Sequence, residues 1–226
     1  MARGRASGYD EQRELILSSA AFLFANRGYA GTSMNQVAEA AGLSKATLYH
    51  YTRDKYTLLV SIADGHVSRL QTLVGEVMAQ HLAPEPQFRE LVRRIVAEYA
   101  DAQHAHRVLT EDVKFLQPDD RERILDKERD VVNGFAQALI ALRPDLQEAS
   151  LAKPLTMLLF GMINWMFTWV KPGGALDHDA LAPIVADLLL GGLPAVRLPK
   201  AATLRVCSSG SPDLALPPHP STENSA

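Results

Sequence analysis

The chain has 226 residues, 47% apolar and 22% charged, with 13 Pro, 14 Gly and one Cys. Those proportions describe a globular protein and exclude collagen-like, disulfide-framed and wholly disordered chains; the single Cys207 makes no internal disulfide, which fits a reducing compartment. The net charge of −3 is unevenly spread, since residues 1–56 carry seven Lys or Arg against five Asp or Glu, leaving a mildly basic head on an acidic body. No stretch reaches the roughly 18 uncharged apolar residues of a membrane span, and no apolar run follows Arg3 and Arg5, so a cytoplasmic protein without membrane contact is expected.

Helical periodicity runs through the chain and no strand pattern appears, so the expected fold is all-α. Over 11–27, Leu15, Ile16, Ala20, Phe22, Leu23 and Phe24 make the stripe of a helix with one buried face, and Gly28 stops it. Ser33 is the expected N-cap of a short helix ending at Ala40, Gly42 supplies the turn, and Ser44 caps a helix over 45–51. Asp54 then caps a long helix that Pro84 and Pro86 are expected to end. Further helices are predicted over 87–104, through Phe115, and from Pro118 to Leu142.

Residues 147–170 are apolar almost all round, which predicts a helix buried on every face in the core of an assembly. Lys171-Pro-Gly-Gly reads as a turn, and a last helix over 177–190 is expected to stop at Gly191-Gly192. Beyond Leu198 the composition shifts to Pro, Ser, Ala and Gly, the signature of a flexible tail. The expected organisation is a helix-turn-helix domain over 1–56, a helical ligand-binding and dimerisation domain over 57–197, and the tail over 198–226.

The head carries the clearest chemistry. A long helix, a short helix, a Gly turn and a second short helix form a helix-turn-helix, whose first short helix crosses the phosphate backbone while the second enters the major groove. With Leu48 facing inward, Lys45, Thr47, Tyr49 and His50 face out, offering a long cation, a methyl with a hydroxyl, and two flat polar rings. The N-terminal amides behind Thr32 and Ser33, together with Tyr51 and Lys55, are placed for phosphates, and Ser44 and Asn35 join the same surface.

The run over 26–51, Asn-Arg-Gly-Tyr-Ala-Gly-Thr-Ser-Met-Asn-Gln-Val-Ala-Glu-Ala-Ala-Gly-Leu-Ser-Lys-Ala-Thr-Leu-Tyr-His-Tyr, followed by Lys55 and Leu58-Leu59, closely resembles the N-terminal domain of the TetR family of transcriptional regulators. The resemblance implies a homodimer binding palindromic, double-stranded operator DNA, with Ser33, Asn35, Lys45, Thr47, Tyr49, His50 and Lys55 at the family's contacting positions. Thr52 stands where the family usually has Phe, and Tyr56 where an acid is common.

The resemblance also implies that the C-terminal helices hold a small-molecule effector and that the last two pair with a second copy. The stretch Leu159-Phe-Gly-Met-Ile-Asn-Trp-Met-Phe-Thr-Trp-Val-Lys-Pro-Gly-Gly, with Val108-Leu-Thr-Glu and Phe115-Leu, looks like the subgroup that responds to acyl-CoA thioesters. Phe115, Phe160, Asn164, Trp165 and Trp169 are therefore the candidate effector residues, with Trp165 and Trp169 one turn apart as an apolar wall and Asn164 as a polar handle. Arg107, Lys114, Arg121 and Arg123 are candidates for CoA phosphates.

Competing patterns are weaker. Tyr51 and Lys55 have the spacing of a dehydrogenase pair, but no Gly-rich phosphate loop precedes them. His104 and His106 lie two apart on a helix and diverge by about 200°, so with Asp101 they supply too few ligands for a metal and are expected as surface histidines. No nucleophile elbow suggests an enzyme. Two alternatives remain: the same DNA-binding regulator responding to a different hydrophobic ligand, as an efflux-type regulator, and a helical interaction module that has lost DNA affinity, resting on Thr52 and Tyr56.

Overall fold

The computed structural model describes residues 3–170 and 176–198; the expected Lys171 turn and the tail with Cys207 lie outside them. The described residues form ten α-helices and two short 3-10 turns, with no strand among them. They divide into two compact units, Met1–Ser68 with Ala102–Ile124, and Arg69–Asp101 with Leu125–Ala226.

In the first unit, α1 (Arg3–Arg27) begins well before the expected position 11, and its apolar stripe buries Ile16, Ala20, Leu23 and Phe24. Gly28, at φ +77°, ends it in a left-handed conformation that other residues adopt only with strain. Helix α2 (Met34–Ala40) opens on a full capping box: Ser33 Oγ accepts from the Gln36 N–H, and Gln36 Oε1 accepts from the Ser33 N–H at 2.8 Å. The Ser33→Ala variant should lose about 1 kcal/mol of stability in urea denaturation; an unchanged midpoint would mean the box is idle.

The α2–α3 turn follows from one residue, Gly42 at φ +67°. Around it the Leu43 N–H donates to Ala38 O at 2.8 Å and the Gly42 N–H to Glu39 O at 3.0 Å, the paired bonds of a Schellman stop. Ser44 then caps α3 (Lys45–Tyr51), accepting from the Thr47 N–H at 3.1 Å. Asp54 accepts from both the N–H and the hydroxyl of Thr57 at the start of α4 (Lys55–Met78), and these bonds, the backbone one first, hold its carboxyl below the ordinary range. Helix α6 (Gln103–Glu111) lies against α1, and the turn Val113–Phe115 leads to the first residues of α7 (Pro118–Leu142).

In the second unit the prolines act otherwise than expected. Pro84 does not end α4, which has already stopped at Met78; it opens α5 (Pro84–Asp101), where a missing N–H and a preset φ suit the first helical position. Helix α5 then ends at Asp101 and not at His104. The apolar segment expected as one helix from 147 is divided into α8 (Asp145–Glu148) and α9 (Ala152–Trp169), with Ser150 at φ +54° between them. Pro154 explains the break, because an uninterrupted helix would place it in the interior, whereas here it falls in the first turn of α9. Helix α10 (His178–Gly192) begins on Asp177, whose carboxylate accepts from the Ala180 N–H, and it continues through both glycines expected to stop it. It packs on α5. Two features close this unit: a Cβ at Gly134 would clash with Val74 Cγ1, so α4 and α7 cross closely there, and Arg143 Nη1 donates to Leu193 O and Val196 O at 2.6 and 2.8 Å.

Candidate nucleic-acid interface and effector region

Helix α3 is held by one wholly buried side chain, Leu48, while Lys45, Tyr49 and His50 are exposed. Thr47 is half-buried, its hydroxyl 2.8 Å from that of Ser44. Ser33 and Asn35 are exposed at the start of α2. Tyr51 is half-buried beneath the ring of Tyr9, with centroids 4.8 Å apart, so α1 braces the end of α3 through a residue that the sequence pattern did not single out.

Two residues expected at phosphates have side-chain partners within the protein. Thr32 is buried, and its hydroxyl lies within hydrogen-bond distance of Gly28 O at 3.0 Å and Leu23 O at 3.4 Å, pinning the end of α1. Lys55 Nζ reaches Tyr29 O and Thr32 O at 2.8 Å and Ala30 O at 3.4 Å, and lies 4.4 Å from the Tyr29 ring centroid. An ammonium has three N–H donors, and three carbonyls occupy them. Lys55 is therefore placed to tie the α1–α2 turn to α4. Lys55→Met should destabilise the DNA-free protein by roughly 1.5–3 kcal/mol, the range for hydrogen bonds to a charged group; no loss in a denaturant melt would return Lys55 to the DNA surface.

The two departures from the family pattern also have places. Thr52 is buried, and its hydroxyl donates to Asp54 O at 3.2 Å, closing the step from α3 to α4. Tyr56 Oη donates to Asp120 Oδ2 at 2.6 Å and accepts from the Gln117 N–H at 3.0 Å. The Tyr56 hydroxyl, with Arg123 behind it, holds the Asp120 carboxyl below its ordinary range. Nearby, the Tyr29 N–H donates to Asp112, whose carboxyl burial pushes up to about 6, and the Tyr29 ring meets Phe115 at 5.2 Å. The segment between α6 and α7 thus grips the helix-turn-helix through Tyr29 and Tyr56.

The histidines need a correction. His106 is buried, not at the surface, and shares a hydrogen bond with the equally buried His66 of α4, Nε2 to Nδ1 at 3.2 Å. His104 is exposed and meets the Phe22 ring edge-on. No group of three or more His, Cys, Asp or Glu is arranged to hold a metal among the described residues.

The expected effector residues separate. Phe115 belongs to the first unit, on Tyr29, and not with the others. Phe160 is core, packed edge-on against Phe135 at 5.1 Å. Asn164 is buried, whereas Trp165 and Trp169 are half exposed on another face of α9, so the tryptophan wall and its polar handle do not share one side. Of the basic candidates for CoA phosphates, Arg107 pairs with Glu111, and Arg123 with Asp120 and Asp64; Lys114 lies over the Phe115 ring.

A capped short helix, a glycine turn and a second short helix with one buried anchor and a polar outer face constitute the helix-turn-helix of DNA-binding regulators. Residues 16–62 match the family described as bacterial regulatory proteins, tetR family, and residues 81–193 match the tetracyclin repressor-like C-terminal domain. The chain is 27% identical over 194 residues to the HTH-type transcriptional repressor KstR2 of Rhodococcus jostii strain RHA1, covering 83% of this chain and 93% of that one. The crystal structure of a TetR-family regulator from Bordetella parapertussis 12822 superposes with TM-score 0.76 at 34% identity, covering 82% of this chain and 97% of the other. AibR in complex with isovaleryl coenzyme A and operator DNA shares the fold at TM-score 0.67 and 23% identity, over 79% of this chain and 98% of AibR. The chain belongs to the TetR family of bacterial transcriptional regulators. No described helix is long and apolar enough to cross a membrane.

Proposed function

We propose that the protein is a ligand-responsive repressor that binds a palindromic operator as a homodimer and is released by an acyl-CoA thioester. The observation that carries the reading is the outer face of α3, where Lys45, Tyr49 and His50 stand exposed on a helix anchored by Leu48. Ser33, Asn35, Ser44, Thr47 and Tyr51 complete the operator surface in this proposal, while Thr32 and Lys55 shape it from behind. Dimerisation is supported by an apolar face that a lone chain leaves in water: Leu158, Trp165 and Trp169 on α9, and Ile184 and Leu188 on α10. A twofold protein suits a twofold operator, with recognition helices about 34–36 Å apart.

The effector reading rests on the resemblance of residues 159–174 to acyl-CoA-responsive members, and it is supported by AibR, a protein of the same fold known in complex with isovaleryl coenzyme A and operator DNA. For release, the thioester must bind the DNA-free state more tightly, by a coupling of about 1–3 kcal/mol. The test is fluorescence anisotropy on the protein's own upstream intergenic DNA at two salt concentrations, followed by acyl-CoA thioesters and the matching free acids. Salt-dependent binding that a thioester reverses and its acid does not is the expected result. Binding that resists every thioester removes the effector, and binding insensitive to salt removes the operator, because neutralised phosphates must release counterions.

A further inference from the structure

Three polar side chains are buried in the apolar interior of the second unit. Asn164 on α9 and Glu128 on α7 are each 4% exposed, and Tyr99 on α5 is fully buried. Neither Nδ2 nor Oδ1 of Asn164 has a hydrogen-bond partner, nor has Oε2 of Glu128. An unmatched buried polar atom is costly, so three of them in one unit mark a place where another molecule is expected to supply partners.

Helix geometry brings the two together. Phe135 and Phe160 touch across α7 and α9, which are joined by the short connection through α8. Glu128 lies seven residues before Phe135 and Asn164 four after Phe160, both on the inward face of their helix and both away from the connection. At 1.5 Å per residue they stand about 10 Å and about 6 Å along their own helices from the phenylalanine pair that joins them. Tyr99 is close enough for the Glu128 carboxyl to bear on its titration.

We infer that Glu128 and Asn164, with Tyr99 beside them, form the polar end of the effector site and receive an uncharged carbonyl group, as in a thioester or ketone, carried on an apolar chain. The inference rests on the effector reading above and adds which atoms of the ligand are read. Burial pushes the Glu128 carboxyl up to about 8, against which the neighbouring Arg129 acts weakly, so near neutrality it is a neutral hydrogen-bond donor. The Asn164 amide adds a second donor. Helix α9 has no ionisable residue between Lys153 and Lys171, α4 buries the apolar Leu70, Val74 and Val77 where it crosses α7, and the arginines of α5 and α7 nearest in sequence, Arg93, Arg94 and Arg129, are paired with Glu90, Glu76 and Asp126, so a free carboxylate meets a cation only by displacing one of these acids. A carbonyl oxygen taking both donors leaves no charge buried and partners two of the three unmatched atoms, Asn164 Nδ2 and Glu128 Oε2.

The test uses the full chain with hexanoyl- and palmitoyl-coenzyme A, the corresponding carboxylates, and 2-alkanones of the same chain lengths, read by calorimetry, with operator anisotropy in parallel. The thioesters or alkanones should bind and the carboxylates should not. Asn164→Leu and Glu128→Leu should each weaken binding at least tenfold, while Glu128→Gln, which keeps a donor, should retain it; thermal melts identify any variant that fails to fold. Affinity of the unmodified protein should fall as pH rises through about 8, and Glu128→Gln should abolish that dependence. Equal binding by Asn164→Leu or a flat pH profile overturns the assignment of the polar end. Alkanone binding without thioester binding supports it and removes only the CoA reading, whereas no binding of either class overturns both.

Discussion

Exchange of Leu158 and Leu188 for glutamate is expected to leave the protein monomeric and to weaken operator binding at least a hundredfold. Each side chain is 64% exposed on one chain, and with Trp165, Trp169 and Ile184 they form an apolar face on two helices that ordinary solvated surfaces do not carry. Covering that face with its own copy removes the apolar area from water at about 25 cal/mol per Å², and a carboxylate placed in it must be desolvated without a cation. Operator affinity then falls because two linked heads gain about 10²–10⁴ over one. Sedimentation equilibrium checks the first part and anisotropy the second. A variant that stays dimeric would place the interface elsewhere, and one that is monomeric yet binds as tightly would break the proposed link between dimerisation and affinity.

Lys45→Ala is expected to have the next largest effect. The side chain stands exposed in the first turn of α3, on a helix whose register Leu48 and the Ser44 cap determine, so its loss should remove an operator contact without disturbing the fold. A good contact to a base edge is worth about 1–3 kcal/mol, and a dimer loses it twice, which corresponds to roughly a 30-fold loss or more. The salt dependence separates two roles: a phosphate contact lowers the slope of log affinity against log salt by about one per head, whereas a base contact changes preference at one position of the half-site. Unchanged affinity on every sequence would move the recognition surface off α3.

The head was legible because its devices are local. Ser33, Gly42 and Ser44 each act within a few residues, so spacing alone locates both short helices and the turn between them. What spacing does not show is where a side chain's partners lie. Lys55 reads as a free cation until the carbonyls at Tyr29, Ala30 and Thr32, more than twenty residues earlier, are seen to surround its ammonium. The His66–His106 pair joins residues forty apart, and nothing in either neighbourhood announces it. Segment 147–170 failed for another reason: with apolar residues on all sides there is no periodicity to interrupt, and Pro154 was the one available sign that a new helix begins. The same uniformity concealed that Asn164 and Trp165, neighbours in sequence, face opposite environments.

The first unit is discontinuous, built from Met1–Ser68 and Ala102–Ile124 with Arg69–Asp101 belonging to the other. During synthesis, therefore, the helix-turn-helix leaves the ribosome long before the residues that complete it. His66 must wait for His106, Tyr29 for Asp112 and Phe115, and Tyr56 for Asp120, while the intervening segment must be looped out at an entropic cost that grows only slowly with its length. A nascent chain bearing the whole helix-turn-helix sequence thus still lacks part of the compact unit to which that sequence belongs.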